Sequence, residues 1–94
     1  MNLALEALRR ARAAGYTFCV RCDEFVDYSG NNVNAAWRAV VDCDEIMTVV
    51  FFNGEAERIG WLQTTAYGLE PDENIIDYSG SGLIAVICDA VCEL

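Results

Sequence analysis

Ile46-Met47-Thr48-Val49-Val50-Phe51-Phe52-Asn53-Gly54 is the stretch on which the fold turns. Its first seven residues are mostly β-branched or aromatic and read as a strand. Asn53-Gly54 is a strong tight-turn signal, with Glu55 and Glu57 lengthening the loop, and Arg58–Thr65 reads as the returning strand of a hairpin. Ile46, Thr48, Val50 and Phe52 point one way, and Met47, Val49 and Phe51 point the other. Both sets are apolar, which marks a central strand covered on both sides. Burial of Met47, Val49 and Phe51 by the N-terminal helix is the plain reading; if every helix lies on one side, they are expected instead to form an exposed apolar patch suited to a homodimer or partner face.

A repeat flanks this hairpin. Asp27-Tyr28-Ser29-Gly30 recurs as Asp77-Tyr78-Ser79-Gly80. Phe25-Val26 matches Ile75-Ile76 before it. Val33, Trp37, Val40 and Val41 match Leu83, Ile87, Ala90 and Val91 after it. Each half reads as a short strand, the Asp-Tyr-Ser-Gly turn, a polar cap (Asn31 or Ser81) and an amphipathic helix. Gly30 and Gly80 suit positive φ where strand passes into helix. The aspartates and serines suit turn amides and orphan N–H groups. The tyrosines offer a flat amphipathic body. One reading makes this a strand-to-helix connector used twice; the other joins Asp27, Tyr28, Asp77 and Tyr78 in a pseudo-symmetric contact surface.

The remaining elements are quickly placed. Asn2–Ala14 reads as a helix capped by Asn2 and stopped by Gly15. Tyr16–Arg21 alternates as a strand, with Phe18, Val20 and Cys22 on one face and Thr17, Cys19 and Arg21 on the other. Glu24–Asp27 and Asn74–Asp77 are short extended pieces. Val33–Cys43 and Leu83–Glu93 are helices, and Gly68–Glu73 is a loop. The expected fold is α+β: a single compact domain, 1–94, with a mostly antiparallel sheet of about four strands and three helices.

Composition narrows the chemistry. The chain has 94 residues, 54% hydrophobic and 22% charged, enough apolar content for one real core. It carries 15 acidic residues against 6 arginines, with no lysine and no histidine, for a net charge of −9. That balance argues against direct binding to nucleic acid or an anionic membrane, both of which need a cationic footprint. Lack of histidine removes Ser-His-Asp and Cys-His catalysis and histidine-ligated metals. No catalytic constellation, cofactor motif or metal-ligand set is assigned, and no enzymatic activity is expected. Met1–Arg12 does not read as a signal peptide, no apolar run reaches membrane-span length, and the five cysteines are odd in number. A cytoplasmic setting with mostly reduced thiols is therefore expected.

Cys19-x-x-Cys22 has redox or zinc spacing, but it falls at the end of a strand, where the two sulfurs take opposite faces. Cys19, Cys22, Cys88 and Cys92 have the ligand number for a tetrahedral zinc site. Val20-Arg21 is strand-like where zinc knuckles want a turn, so free thiols acting as small hydrophobes are expected.

The acids are distributed unevenly. Residues 1–22 hold four arginines and one glutamate, a net of +3, while residues 23–94 hold 14 acids against two arginines, a net of −12. Clusters occur at Asp23-Glu24, Asp42-x-Asp44-Glu45, Glu55-x-Glu57 and Glu70-x-Asp72-Glu73. A solvated acidic surface is the plain reading. The sharper one is a field of carboxylates offered to a basic protein, with Asp23, Glu24, Asp27, Asp42, Asp44, Glu45, Asp72, Glu73 and Asp77 carrying the contact, beside Tyr28 and Tyr78.

In size, charge and composition the chain resembles the small acidic proteins of bacteriophages and mobile elements, anti-CRISPR proteins among them. That resemblance rests on no motif and transfers no residues. It implies an inhibitor that occludes a cationic nucleic-acid-binding protein, such as a CRISPR effector subunit. The alternatives are a homodimeric structural or accessory protein assembled through an apolar sheet face, and a cysteine-based zinc or redox protein.

Overall fold

The computed structural model describes residues 1–94. Helix α1 (Leu3–Ala13) leads into strands β1 (Thr17–Cys22) and β2 (Phe25–Gly30), then helix α2 (Val33–Val41). Strands β3 (Met47–Phe52) and β4 (Arg58–Thr64), a single 3-10 turn at Pro71–Glu73, strand β5 (Ile75–Tyr78) and helix α3 (Leu83–Cys92) complete the chain. The α+β class and the single antiparallel sheet are as the sequence indicates. The sheet has five strands, one more than expected, in the order β2-β1-β3-β4-β5. Both short extended pieces are edge strands of it.

The central strand does its work through its residue types. Met47, Val49 and Phe51 meet Phe18, Val20 and Leu62 in one core beneath all three helices. Each of the six is at most 1% exposed. Helix α1 lies between α2, which packs over β1 and β2, and α3, which packs over β4 and β5. Its small residues Ala4, Ala7 and Ala11, with Leu8, form the buried stripe and let it sit close.

The plain reading of burial holds for Met47, Val49 and Phe51, and the exposed-patch alternative fails. They face the helix layer, because their row continues the fully apolar Phe18–Val20 row of β1. The uncovered face carries the other row, in which Cys19, Val50 and Trp61 are cross-strand neighbours, with Phe52 beside Thr17. Val50 is only 3% exposed on that face, and Trp61, Phe52 and Cys19 are half-buried.

The repeat folds as two equivalent connections. β2 leads into α2 at one edge of the sheet, and β5 leads into α3 at the other. Three details differ from the sequence reading. The cap of α2 is Asn32, whose side chain accepts from the Ala35 N–H at 3.0 Å, and not Asn31. Gly30 takes positive φ (+149°), but in the second half the positive φ belongs to Gly82 (+94°), which starts α3 in place of Ser81. The buried stripe of α3 is Ile84, Ala85, Cys88 and Val91, so Leu83 and Ala90 face out, and Val41 of α2 is exposed as well. One residue of phase in a helix is about 100°, enough to exchange an inward position for an outward one.

The β3–β4 connection is longer than a two-residue turn. The Asn53 carboxamide oxygen accepts from the Glu55 and Glu57 N–H groups at 2.9 and 3.0 Å, and Ala56 takes a left-handed φ of 62°. No helix is long and apolar enough to cross a membrane.

Candidate functional site

Antiparallel pairing decides where the acids go. Cys22 of β1 pairs with Phe25 across the β1–β2 turn, Arg21 with Thr48 of β3, Met47 with Thr64 of β4, and Thr64 with Ile75 of β5. Three loops therefore leave the sheet at the same end: the β1–β2 turn, the α2–β3 loop and the β4–β5 loop. Between them they carry Asp23, Glu24, Asp42, Asp44, Glu45, Glu70, Asp72 and Glu73, all exposed. Asp27 and Asp77 lie near this end on the two edge strands, also exposed.

Side-chain contacts join two of these loops directly. The Cys22 thiol donates to a Glu45 carboxylate oxygen at 3.0 Å, and the Cys43 and Cys22 sulfurs are 3.9 Å apart. Asp23 follows Cys22 in the chain, and Asp42 and Asp44 flank Cys43. Asp27, Asp42 and Cys43 also line one shallow groove together with Ala39. The Tyr67 hydroxyl donates to the Val41 carbonyl at 2.6 Å and draws the start of the β4–β5 loop to the end of α2.

Two arginines stand far from this rim. Arg9 and Arg12 line a cleft at the opposite end, with Ala13, Val33 and Asn34. The only ion pairs are Glu6 with Arg9 at 3.7 Å and with Arg10 at 3.2 Å. Every acid beyond Glu6 is without an arginine partner.

Two predicted residues do not belong to this rim as free contact groups. Tyr28 is half-buried against Phe18, ring centres 6.4 Å apart, and its hydroxyl accepts from the Asn32 N–H at 2.8 Å. Tyr78 is half-buried, and its hydroxyl donates to Asp89 of α3. Each tyrosine ties an edge strand to the helix that follows it. The pseudo-symmetric surface of Asp27, Tyr28, Asp77 and Tyr78 is therefore not formed, since the two motifs occupy opposite edges of the sheet.

The thiols part company as well. Cys19 lies on the uncovered sheet face, while Cys88 is 0% exposed in the core, within the buried stripe of its helix. Cys22 instead meets Cys43, which the sequence reading did not single out. The Glu45 carboxylate, with burial and Cys43 behind it, pushes the Cys22 thiol up to about 12. Burial raises Cys88 to about 12, and the bond to Asp89 does the same for Tyr78.

The Cys88 and Tyr78 shifts predict an alkaline limit to stability. Between their ordinary values of 9.0 and 10.0 and about 12, the unfolded chain releases both protons while the folded chain keeps them. The contribution is complete below those ordinary values and is lost as pH rises toward the folded ones. Urea midpoints should therefore fall steadily over this window. A flat midpoint would show that neither proton is held by the fold.

Comparison with protein-family models, curated proteins and solved structures gives no match for this chain.

Proposed function

We propose that the protein acts by contact, as an inhibitory binding protein that lends its acidic rim to the basic surface of a nucleic-acid-binding protein. The observation that supports this is the pooling of unpaired carboxylates at one end. The rim spans five strands, four gaps of about 4.8 Å, or about 19 Å. Eight rim acids over that width give one charge per ~2.4 Å, against one per ~1.7 Å of axis in duplex DNA. A groove lined with arginine and lysine to hold nucleic acid meets comparable charge density here. Occupation of the groove excludes the nucleic acid by volume and by charge, with no bond made or broken. A CRISPR effector subunit is the partner that the resemblance in size and charge implies.

The test begins with capture of proteins from a bacterial lysate, their identification, and reconstitution with the purified partner. Affinity should fall at least about tenfold between low and high salt, since exposed charges are screened within ~10 Å at 0.1 M salt. Asp42→Arg with Asp44→Arg should slow association by about tenfold or more and leave the fold intact, because both side chains are exposed. A complex equally tight in low and high salt overturns the proposal.

A second reading rests on the uncovered sheet face. Cys19, Val50, Phe52 and Trp61 form its apolar centre, and Arg21 lies one rung away with its Nε buried and unpaired. Pairing of two such faces would make a homodimer. Sedimentation at micromolar concentration decides it: a strict monomer removes this reading.

A further inference from the structure

The Cys22 and Cys43 sulfurs and a Glu45 carboxylate oxygen all lie within 4.8 Å of one another. They come from the end of β1 and from the α2–β3 loop, which the chain separates by about twenty residues and the sheet brings together. Cys22 ends β1, where the backbone is held by pairing to Phe25. Cys43 follows the last turn of α2, with its N–H donating to the Val40 carbonyl at 3.3 Å. Both thiols are half-buried and Glu45 is exposed, so the trio opens on one side to solvent.

From this geometry we infer that Cys22, Cys43 and Glu45 form a binding site for a thiophilic divalent metal ion, zinc(II) in particular. Tetrahedral zinc with sulfur at ~2.3 Å requires two thiolates about 3.8 Å apart. The sulfurs stand at 3.9 Å, so they bracket an ion with almost no movement. The carboxylate oxygen is 3.0 Å from the Cys22 sulfur, whereas a zinc-bound oxygen at ~2.0 Å would stand about 3.5 Å away. Glu45 therefore moves outward by about half an ångström, which an exposed side chain does freely. Two thiolates and one carboxylate fill three positions, and water takes the fourth.

The donor set selects the ion. Thiolates favour zinc over magnesium and calcium, which take oxygen ligands. Binding balances simply: one zinc(II) enters, the two thiol protons leave, and the Glu45 hydrogen bond is exchanged for a metal bond. Nothing is oxidised, and the net charge of the protein does not change. What changes is rigidity. The ion clamps the β1–β2 turn to the α2–β3 loop and fixes Asp23, Asp42 and Asp44 relative to one another.

The experiment uses reduced full-length protein without any partner, so its outcome is independent of the contact function. Zinc(II) is titrated against a chromophoric chelator, and cobalt(II) is added separately as a spectroscopic probe. One zinc per chain is expected, and cobalt should show thiolate charge transfer and the strong visible bands of tetrahedral coordination. Zinc should protect Cys22 and Cys43 from alkylation while exposed Cys92 still reacts. Loss of an outer-shell partner costs a metal site ten- to a hundredfold, so Cys43→Ser should weaken zinc by at least about a hundredfold. Glu45→Gln, which removes an exposed charge and spares the packing, should weaken it less. Three results overturn the site: no zinc uptake by folded protein, unchanged affinity in Cys43→Ser, or protection mapping to Cys88 and Cys92. A Cys22–Cys43 disulfide that persists under reducing conditions does so as well.

Discussion

Gly60→Ala should cost the protein about 4 kcal/mol, the largest effect of any single methyl in the chain. Gly60 lies in β4 at φ +151°, outside the region open to residues with a β-carbon. It faces α3, and a methyl there would stand 2.6 Å from Ile84 Cβ, 2.8 Å from Ile84 Cγ1 and 2.8 Å from Ser79 Oγ. None of these neighbours yields easily. Ile84 is 0% exposed, and Ser79 Oγ accepts from the Trp61 N–H at 2.8 Å. Backbone strain contributes about 1–2 kcal/mol and overpacking about 1–3 kcal/mol. A domain of this size has only about 5–14 kcal/mol in total. The melting temperature should drop by about 15 °C or more. Ile84→Ala should cost less in the Gly60→Ala background than in the native chain, since the two then compete for one space. Gly54→Ala is the control: its methyl meets nothing within 4 Å, and the melting temperature should hold. A Gly60→Ala protein as stable as the native one would mean that α3 is not seated on β4.

Asn74→Ala should cost about 2–3 kcal/mol by a different route. Asn74 is 2% exposed and joins the first turn of α1 to the start of β5. Its Oδ1 accepts from the Ala4 N–H at 2.8 Å, and its Nδ2 donates to Asn2 Oδ1 at 2.7 Å. The same Asn2 oxygen accepts from the Leu5 N–H at 3.0 Å. The Asn74 carbonyl in turn accepts from the Thr64 hydroxyl at 2.7 Å. Alanine leaves the Ala4 N–H unsatisfied in a buried place, which is the larger part of the cost. Asn2→Ala removes an ordinary helix cap and should cost about 1 kcal/mol. The double substitution should cost less than the sum, because the two carboxamides share a bond. Chemical denaturation of the three variants measures this; a neutral Asn74→Ala would show that α1 is held by its apolar stripe alone.

Neither position is conspicuous in the sequence. Gly60 reads as one glycine in a strand, and Asn74 as the first residue of a short extended piece. Their weight comes from a helix and a terminus that arrive from 24 and 70 residues away. The candidate site divides in the same way. The acids of the turns were legible, because acidic runs between apolar segments read as loops. The pairing of Cys22 with Cys43 was not. One cysteine closes a strand and the other follows a helix, and only the placement of β1 beside β3 makes them neighbours. With that strand order in hand, the Cys43-x-Glu45 spacing just before β3 would have pointed to Cys22 at the end of β1.

The sequence by itself determined the helices, the strands, the hairpin around Asn53-Gly54 and the use of one strand-turn-helix unit at both ends of the sheet. Each follows from local periodicity and turn chemistry, which act over a few residues. It also determined the net charge. The tertiary structure alone decided which row of β3 lies under the helices, that the three acidic loops share one rim, and that Arg9 and Arg12 stand at the opposite end. Strand order and register act between distant segments. A strand apolar on both faces carries no local preference for either side, so burial against the whole helix layer makes that choice.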